Sequence, residues 1–136
     1  MNLTCGYVTY LHSTPDQVWH ALTDADATRA WWGRENVSDW RVGSVWEHRK
    51  PSGEADGRGT VLESDAPKRL AMTFPSGVES KVAFDIEPYQ DIVRLTLTHS
   101  ELASEPLRAI VADVWAAVLS NLKTYLETGA SMRLPS

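Results

Sequence analysis

From residue 40 onward, apolar and polar side chains alternate with a period of two, the repeat of strands that bury one face. Trp46 and His48 share a face, as do Leu70, Met72 and Phe74, then Val82, Phe84 and Ile86, then Val93, Leu95, Leu97 and His99. Turn-forming residues separate the runs: "PSGEADGRG" reads as a connecting loop, and Pro67, "PSG" and Pro88 close the strands that follow. Gaps this short make consecutive strands antiparallel neighbours, which predicts a meander with one apolar face. A further run, residues 5 to 12, reads as a first strand whose inward side is left open by its imperfect alternation.

Elsewhere the repeat is helical. Thr14, Pro15 and Gln17 form a capping box ahead of the apolar face Val18, Trp19, Ala21 and Leu22. A second short helix, "DADATRAWWG", has Asp24 or Asp26 as its cap and Gly33 as its stop, so Trp31 and Trp32 fall in its last turn. Successive helical side chains diverge by about 100°, so these two indoles are not expected to share one core contact. Leu107, Val111, Val114, Trp115, Val118, Leu122, Tyr125 and Leu126 then mark a long amphipathic helix from Pro106 to about Thr128, stopped by Gly129. The tail, residues 129 to 136, reads as frayed. Strands followed by a long helix predict an α+β fold in which the helix lies on the concave side of the sheet.

Composition narrows the function. A chain of 136 residues reads as one domain, 1 to 136. Eighteen acidic against thirteen basic residues give a net charge of −5, the wrong sign for a phosphate-tracking surface, so no nucleic-acid partner is expected. Nothing approaches the length of a membrane span or resembles a secretory signal, so the expectation is a cytoplasmic protein without membrane insertion. Two glycosylation-like triplets, at Asn2 and Asn36, are then coincidental. The lone Cys5 supports no intrachain disulfide, and no Cys/His spacing suits zinc, so neither metal nor cofactor is expected.

The order strand, two short helices, meander, long helix resembles the helix-grip fold of the START-like (SRPBCC) superfamily. Within it, "TPDQVWHALTD", "AWWG", "WRVGSVWEH", "GRGTVLESDAPKRLAMTF", "VRLTLTHSEL" and "VWAAVLSNLKTYLE" resemble the activator-of-Hsp90-ATPase homologue family over nearly the whole chain. The chain departs from the pattern at Gly43-Ser44, at the hairpin "PYQD" and at Val114, where glycines are usual. The resemblance implies a cavity between the sheet and the long helix that takes an apolar or amphipathic small molecule. It also assigns Trp31 to anchoring the second helix and Trp32 to the rim of the cavity, with Gly33 freeing the next segment to act as a lid.

With that fold, the residues turned toward the cavity are Trp46, His48, Met72, Phe74, Phe84, Leu95 and Leu97 from the sheet, Val111, Trp115 and Val118 from the helix, and Trp32 at the rim. An imidazole on an apolar face needs a partner or a wet cavity, which singles out His48. A register slip of one would instead turn Glu47 inward. His99, read as lying at a strand end, has a structural or cap-like role, and Glu63 and Asp65 read as surface acids. No nucleophile elbow, phosphate loop or paired ligand motif is present, so the question of catalysis stays open with the weight against it. A general acid or base assembled from His48 or His99 with Glu47 or Glu63 is the form catalysis would take. A protein-interaction or co-chaperone-like module is the other alternative, and the protein is expected to be a monomer or a homodimer.

Overall fold

The computed structural model describes residues 3–76 and 78–132. Residues 1 and 2, with Asn2 of the first glycosylation-like triplet, Gly77 within the "PSG" turn, and residues 133–136 of the tail lie outside the described residues. In chain order the elements are β1 (Leu3–Leu11), α1 (Pro15–Thr23), α2 (Ala25–Trp32), β2 (Glu35–Val37), β3 (Val45–Arg49), β4 (Ala55–Asp65), β5 (Arg69–Ser76), β6 (Val78–Tyr89), β7 (Ile92–Leu102) and α3 (Glu105–Thr128). The strands form one antiparallel sheet in the order β1-β7-β6-β5-β4-β3-β2. This is the expected α+β helix-grip arrangement, a meander whose last strand receives β1 as its outer neighbour, with α3 packed on the sheet.

Local chemistry sets the helix ends. The Thr14 hydroxyl accepts the Gln17 amide proton at 3.2 Å, whereas the Gln17 side chain receives the Ser13 hydroxyl at 3.0 Å, so only half of the predicted capping box forms. Asp24 caps α2 through the Ala27 amide, and Gly33 ends it in the left-handed region (φ 78°) that favours glycine. Ser104 caps α3 through the Leu107 amide and starts the helix one residue before the predicted Pro106.

Strand faces follow the alternation. Leu70, Met72, Val82, Phe84, Ile86, Val93, Leu95, Leu97 and His99 are all buried, and they meet Trp115, Val118, Leu119 and Leu122 of α3. Val114 departs from the expected helix face, because only the second half of α3 lies flat on the core; Val114 and Ile110 are 52% and 62% exposed. Of the tail read as frayed, residues 129–132 turn back onto the body, where the Ser131 hydroxyl donates to Ala30 O and the Met132 amide to Asn121 Oδ1.

Two segments differ from the sequence reading. "PSGEADGRG" is not all loop: β4 begins at Ala55 and runs through Gly57 and Gly59, where other groups occupy the space a Cβ would take. A Cβ on Gly59 would lie 2.3 Å from Thr73 O and 2.4 Å from Trp46 Nε1; one on Gly57 would lie 2.5 Å from Pro75 Cγ. Likewise β2, too short and polar to show a period, pairs with β3 through Asn36↔His48.

Gly59 sits where β4 changes partners. Residues 55–60 pair with β3 and residues 61–65 with β5. At the changeover the Thr60 amide donates to Thr73 Oγ1 (2.8 Å), and the Trp46 indole N–H donates to Thr73 O (2.8 Å). Side chains thus take the place of ladder partners for the Thr73 carbonyl and the Thr60 amide. Replacing Gly59 by Ala is expected to destabilise the protein by about 1–3 kcal/mol, because neither a carbonyl nor a sealed indole can move aside cheaply. Urea denaturation beside the wild type measures this, and an unchanged midpoint would contradict the packing.

Candidate ligand pocket

Beyond the changeover, β3 and the end of β5 face the first half of α3, and the space between them is not filled. A cavity of about 200 Å³ opens there. Five of the residues expected to bind a ligand line it: Trp32 from the end of α2, His48 from β3, Phe74 from β5, and Val111 and Trp115 from α3. The other six, Trp46, Met72, Phe84, Leu95, Leu97 and Val118, do face inward but sit in the packed core, none more than 6% exposed. Alternation fixes the direction of a side chain, and the close packing of its neighbours leaves these six no free surface. Three lining residues were missed: His99, Ile110 and Val114. The extra three residues of β7 make His99 a mid-strand position, while Ile110 and Val114 stand at the mouth.

Aromatic rings form the walls. Trp32 lies almost parallel to Phe74 (centroids 6.2 Å, 8° between planes), edge-on to His48 (5.0 Å) and tilted against Trp115 (5.2 Å). It also stacks on Trp31 at 5.1 Å, contrary to the expectation that neighbouring indoles avoid a shared contact. Although their Cβ directions diverge, the two rings are long enough to overlap beyond the backbone. Trp31 is fully buried and donates its N–H to Ala21 O (2.8 Å), whereas Trp32 is half-buried. Trp31 thus sits in the core behind α2 and Trp32 in the wall of the cavity. The segment after Gly33 is β2, paired to β3 and flanked by Arg29–Glu35 (2.7 Å) and Arg34–Asp56 (3.2 Å) ion pairs.

The two imidazoles are held differently. His99 is sealed, with Trp115 Nε1–H donating to Nδ1 (3.0 Å). The Ser80 hydroxyl donates to Phe74 O, so it accepts the Nε2 proton of His99 at 2.7 Å. Both ring nitrogens are used, in the neutral tautomer. His48 instead faces the cavity, its Nδ1 2.6 Å from Asn36 Oδ1. Asn36 is itself buried, its backbone N–H donating to Thr28 Oγ1 (2.9 Å), so the second glycosylation-like triplet is structural. Burial, reinforced by the nearby Arg34 charge and opposed by Asp56, brings His48 down from 6.5 to about 4; burial alone does the same for His99.

No acid–base pair forms as envisaged. Glu47 turns away from the cavity and pairs with Arg49 (2.8 Å) and Arg58 (3.0 Å), which settles the register in favour of an inward His48. Glu63 pairs with Arg69 on the opposite face of the sheet. There a broader groove of about 490 Å³ runs over Ala71 and Ala83, but its charged rims are engaged in the Arg69–Asp85 and Lys81–Glu101 ion pairs. Among the described residues no three His, Cys, Asp or Glu side chains gather as a metal site, and no helix is long and apolar enough to cross a membrane.

Comparison with known proteins agrees with this architecture. Residues 12–127 match the family described as "Activator of Hsp90 ATPase homolog 1-like protein". Similar solved structures include the Aha1 dimer from Colwellia psychrerythraea, 21% identical with a TM-score of 0.81 over 93% of this chain and 98% of that one. CalU16 from Micromonospora echinospora is 22% identical, with a TM-score of 0.76 over 93% of this chain and 77% of that one. DynU16, a putative protein in the dynemicin biosynthetic locus, is 20% identical, with a TM-score of 0.84 over 96% of this chain and 49% of that one. At these identities the likeness is one of fold. No curated protein matches the chain in sequence.

Two outcomes follow from the geometry. Between the unfolded value of 6.5 and the folded value of about 4, the unfolded chain binds more protons at His48 and His99. Their contribution to stability is therefore complete above pH 6.5 and lost as the pH falls toward 4. Ring resonances followed by NMR should show neither imidazole titrating above about pH 5, and a midpoint near 6.5 for either would contradict its placement. Trp31→Ala should cost about 3–5 kcal/mol in chemical denaturation, as expected for a fully buried ring that also loses its hydrogen bond.

Proposed function

The chain belongs to the Activator of Hsp90 ATPase homolog 1-like family, and from the geometry of its pocket we propose that it binds a small, largely apolar molecule between α3 and the inner face of the sheet. One observation carries this reading: a cavity of about 200 Å³, walled by Trp32, Phe74, Trp115 and two imidazoles, is left open at the surface. An engineered cavity of about 150 Å³ holds a benzene molecule, so the volume suits a single ring or a short branched chain. Apolar walls facing water gain about 25 cal/mol for each Å² that a ligand covers. Ile110 and Val114, exposed at the mouth, extend those walls outward and would carry any part of the ligand that protrudes.

On this reading the protein is a cytoplasmic carrier or sensor of that molecule, working as a monomer or a homodimer, the latter being the form in which its Colwellia relative was solved. Catalysis is not part of the proposal, since among the described residues no carboxylate lines the cavity with His48 and His99.

Toluene, titrated while tryptophan fluorescence is followed, should quench the signal and saturate. Trp32→Ala should weaken that binding about tenfold while costing less stability than Trp31→Ala, because it removes one wall of the site and no sealed hydrogen bond. Absence of saturable binding by any ring-sized apolar probe up to its solubility limit would overturn the proposal.

A further inference from the structure

Resting on that reading, we infer that the natural ligand carries an O–H or N–H donor on its ring or chain, which His48 Nε2 accepts. The assignment comes from accounting for the polar atoms around the cavity. His99 offers nothing, since Trp115 Nε1–H fills Nδ1 and Ser80 holds Nε2. The Trp115 indole proton is spent in the same contact. On His48, Nδ1 lies 2.6 Å from Asn36 Oδ1, an atom that only accepts, so Nδ1 carries the ring proton and Nε2 is left with a lone pair. Nε2 has no hydrogen-bond partner and is not sealed off, among the described residues.

The orientation of this nitrogen is built in. Asn36 lies directly across the β2–β3 ladder from His48, and the Thr28 hydroxyl of α2 holds the Asn36 backbone N–H at 2.9 Å. Edge contacts with Trp32 and Trp46, at 5.0 and 5.8 Å between centroids, restrain the imidazole plane. A fixed acceptor in an otherwise apolar cavity selects against ligands that cannot satisfy it. A molecule without a donor either strands Nε2 away from water or shares about 200 Å³ with the water that satisfies it. The Trp32 indole N–H also has no hydrogen-bond partner among the described residues, so a hydroxyl, which both donates and accepts, suits this wall better than a bare N–H.

The test compares phenol, anisole and toluene, which share a ring and differ in polar atoms: donor and acceptor, acceptor only, and neither. Calorimetry on the wild-type protein should give phenol about a tenfold advantage over both others. In His48→Phe, which keeps a ring of similar size, the ratio of phenol to toluene affinity should fall to about one. Should that variant fail to fold, the ¹⁵N resonance of His48 Nε2 in the wild type decides, since it should move on adding phenol and stay on adding toluene. Equal binding of all three, or anisole matching phenol, would overturn this inference while leaving the apolar pocket standing. Absence of binding by any of them would remove both.

Discussion

The hydrogen bond from the Trp46 indole to the carbonyl of Thr73 is the constraint on which the pocket depends. In an unbroken sheet that carbonyl would accept from the backbone of β4, and β3 and β2 would continue the plane set by β5. Here a side chain takes the acceptor, the Thr73 hydroxyl takes the Thr60 amide, and β5 beyond Met72 pairs only with β6. Freed from β5, the first half of β4 carries β3 and β2 to the end of the molecule where α2 finishes. The absent Cβ of Gly59 is what permits this approach, because indole nitrogen, carbonyl and backbone all converge on one point. His48 and Phe74 reach the cavity as a consequence of the departure, with Asn36 buried behind His48.

The long helix divides at the same place. From Trp115 to Leu122 it lies against β1 and β7 and is sealed, whereas Ile110 and Val114 project past the edge of that contact. Apolar spacing continues through both halves, so the stripe that stabilises the second half becomes, in the first, the lip of a cavity. Stability and binding therefore draw on one pattern, and what separates them is whether a sheet strand lies opposite.

This also explains which parts of the protein were legible in the sequence. The meander, both short helices with their caps, and the extent of α3 follow from local repeats and end signals, which need no knowledge of distant residues. Gly57 and Gly59 were misread because a glycine that makes room for a side chain far along the chain looks locally like a glycine that makes a turn. The two-residue hairpin at Gln90-Asp91, where Gln90 adopts a left-handed φ of 53°, forms without the glycine that usually marks such a corner. Period also reports direction and not occupancy: Trp46 and His48 share a face, yet one is buried among core side chains and the other stands against a void. His99 shows the same limit from the other side, since its partners Ser80 and Trp115 lie on other elements.

Polar groups behind the walls matter as much as the walls. Asn36, Thr28, Asn121, Ser80 and His99 are nearly inaccessible, and each is tied to a backbone group or to another of the set. Leaving any of them unpaired would cost on the order of 1–3 kcal/mol, which in a domain of ordinary stability is a large fraction of the whole. Asn121 shows what such ties achieve: its amide holds Trp31 O (2.7 Å) while its carbonyl receives Met132 N (2.6 Å), fixing the end of α2 against α3 from behind. With Trp31 locked through its own N–H and its backbone, the adjacent Trp32 is positioned without needing a hydrogen bond itself. Two indoles in sequence thus divide the labour: the first is immobilised by α1 and α3, and the second inherits its placement and lines the cavity.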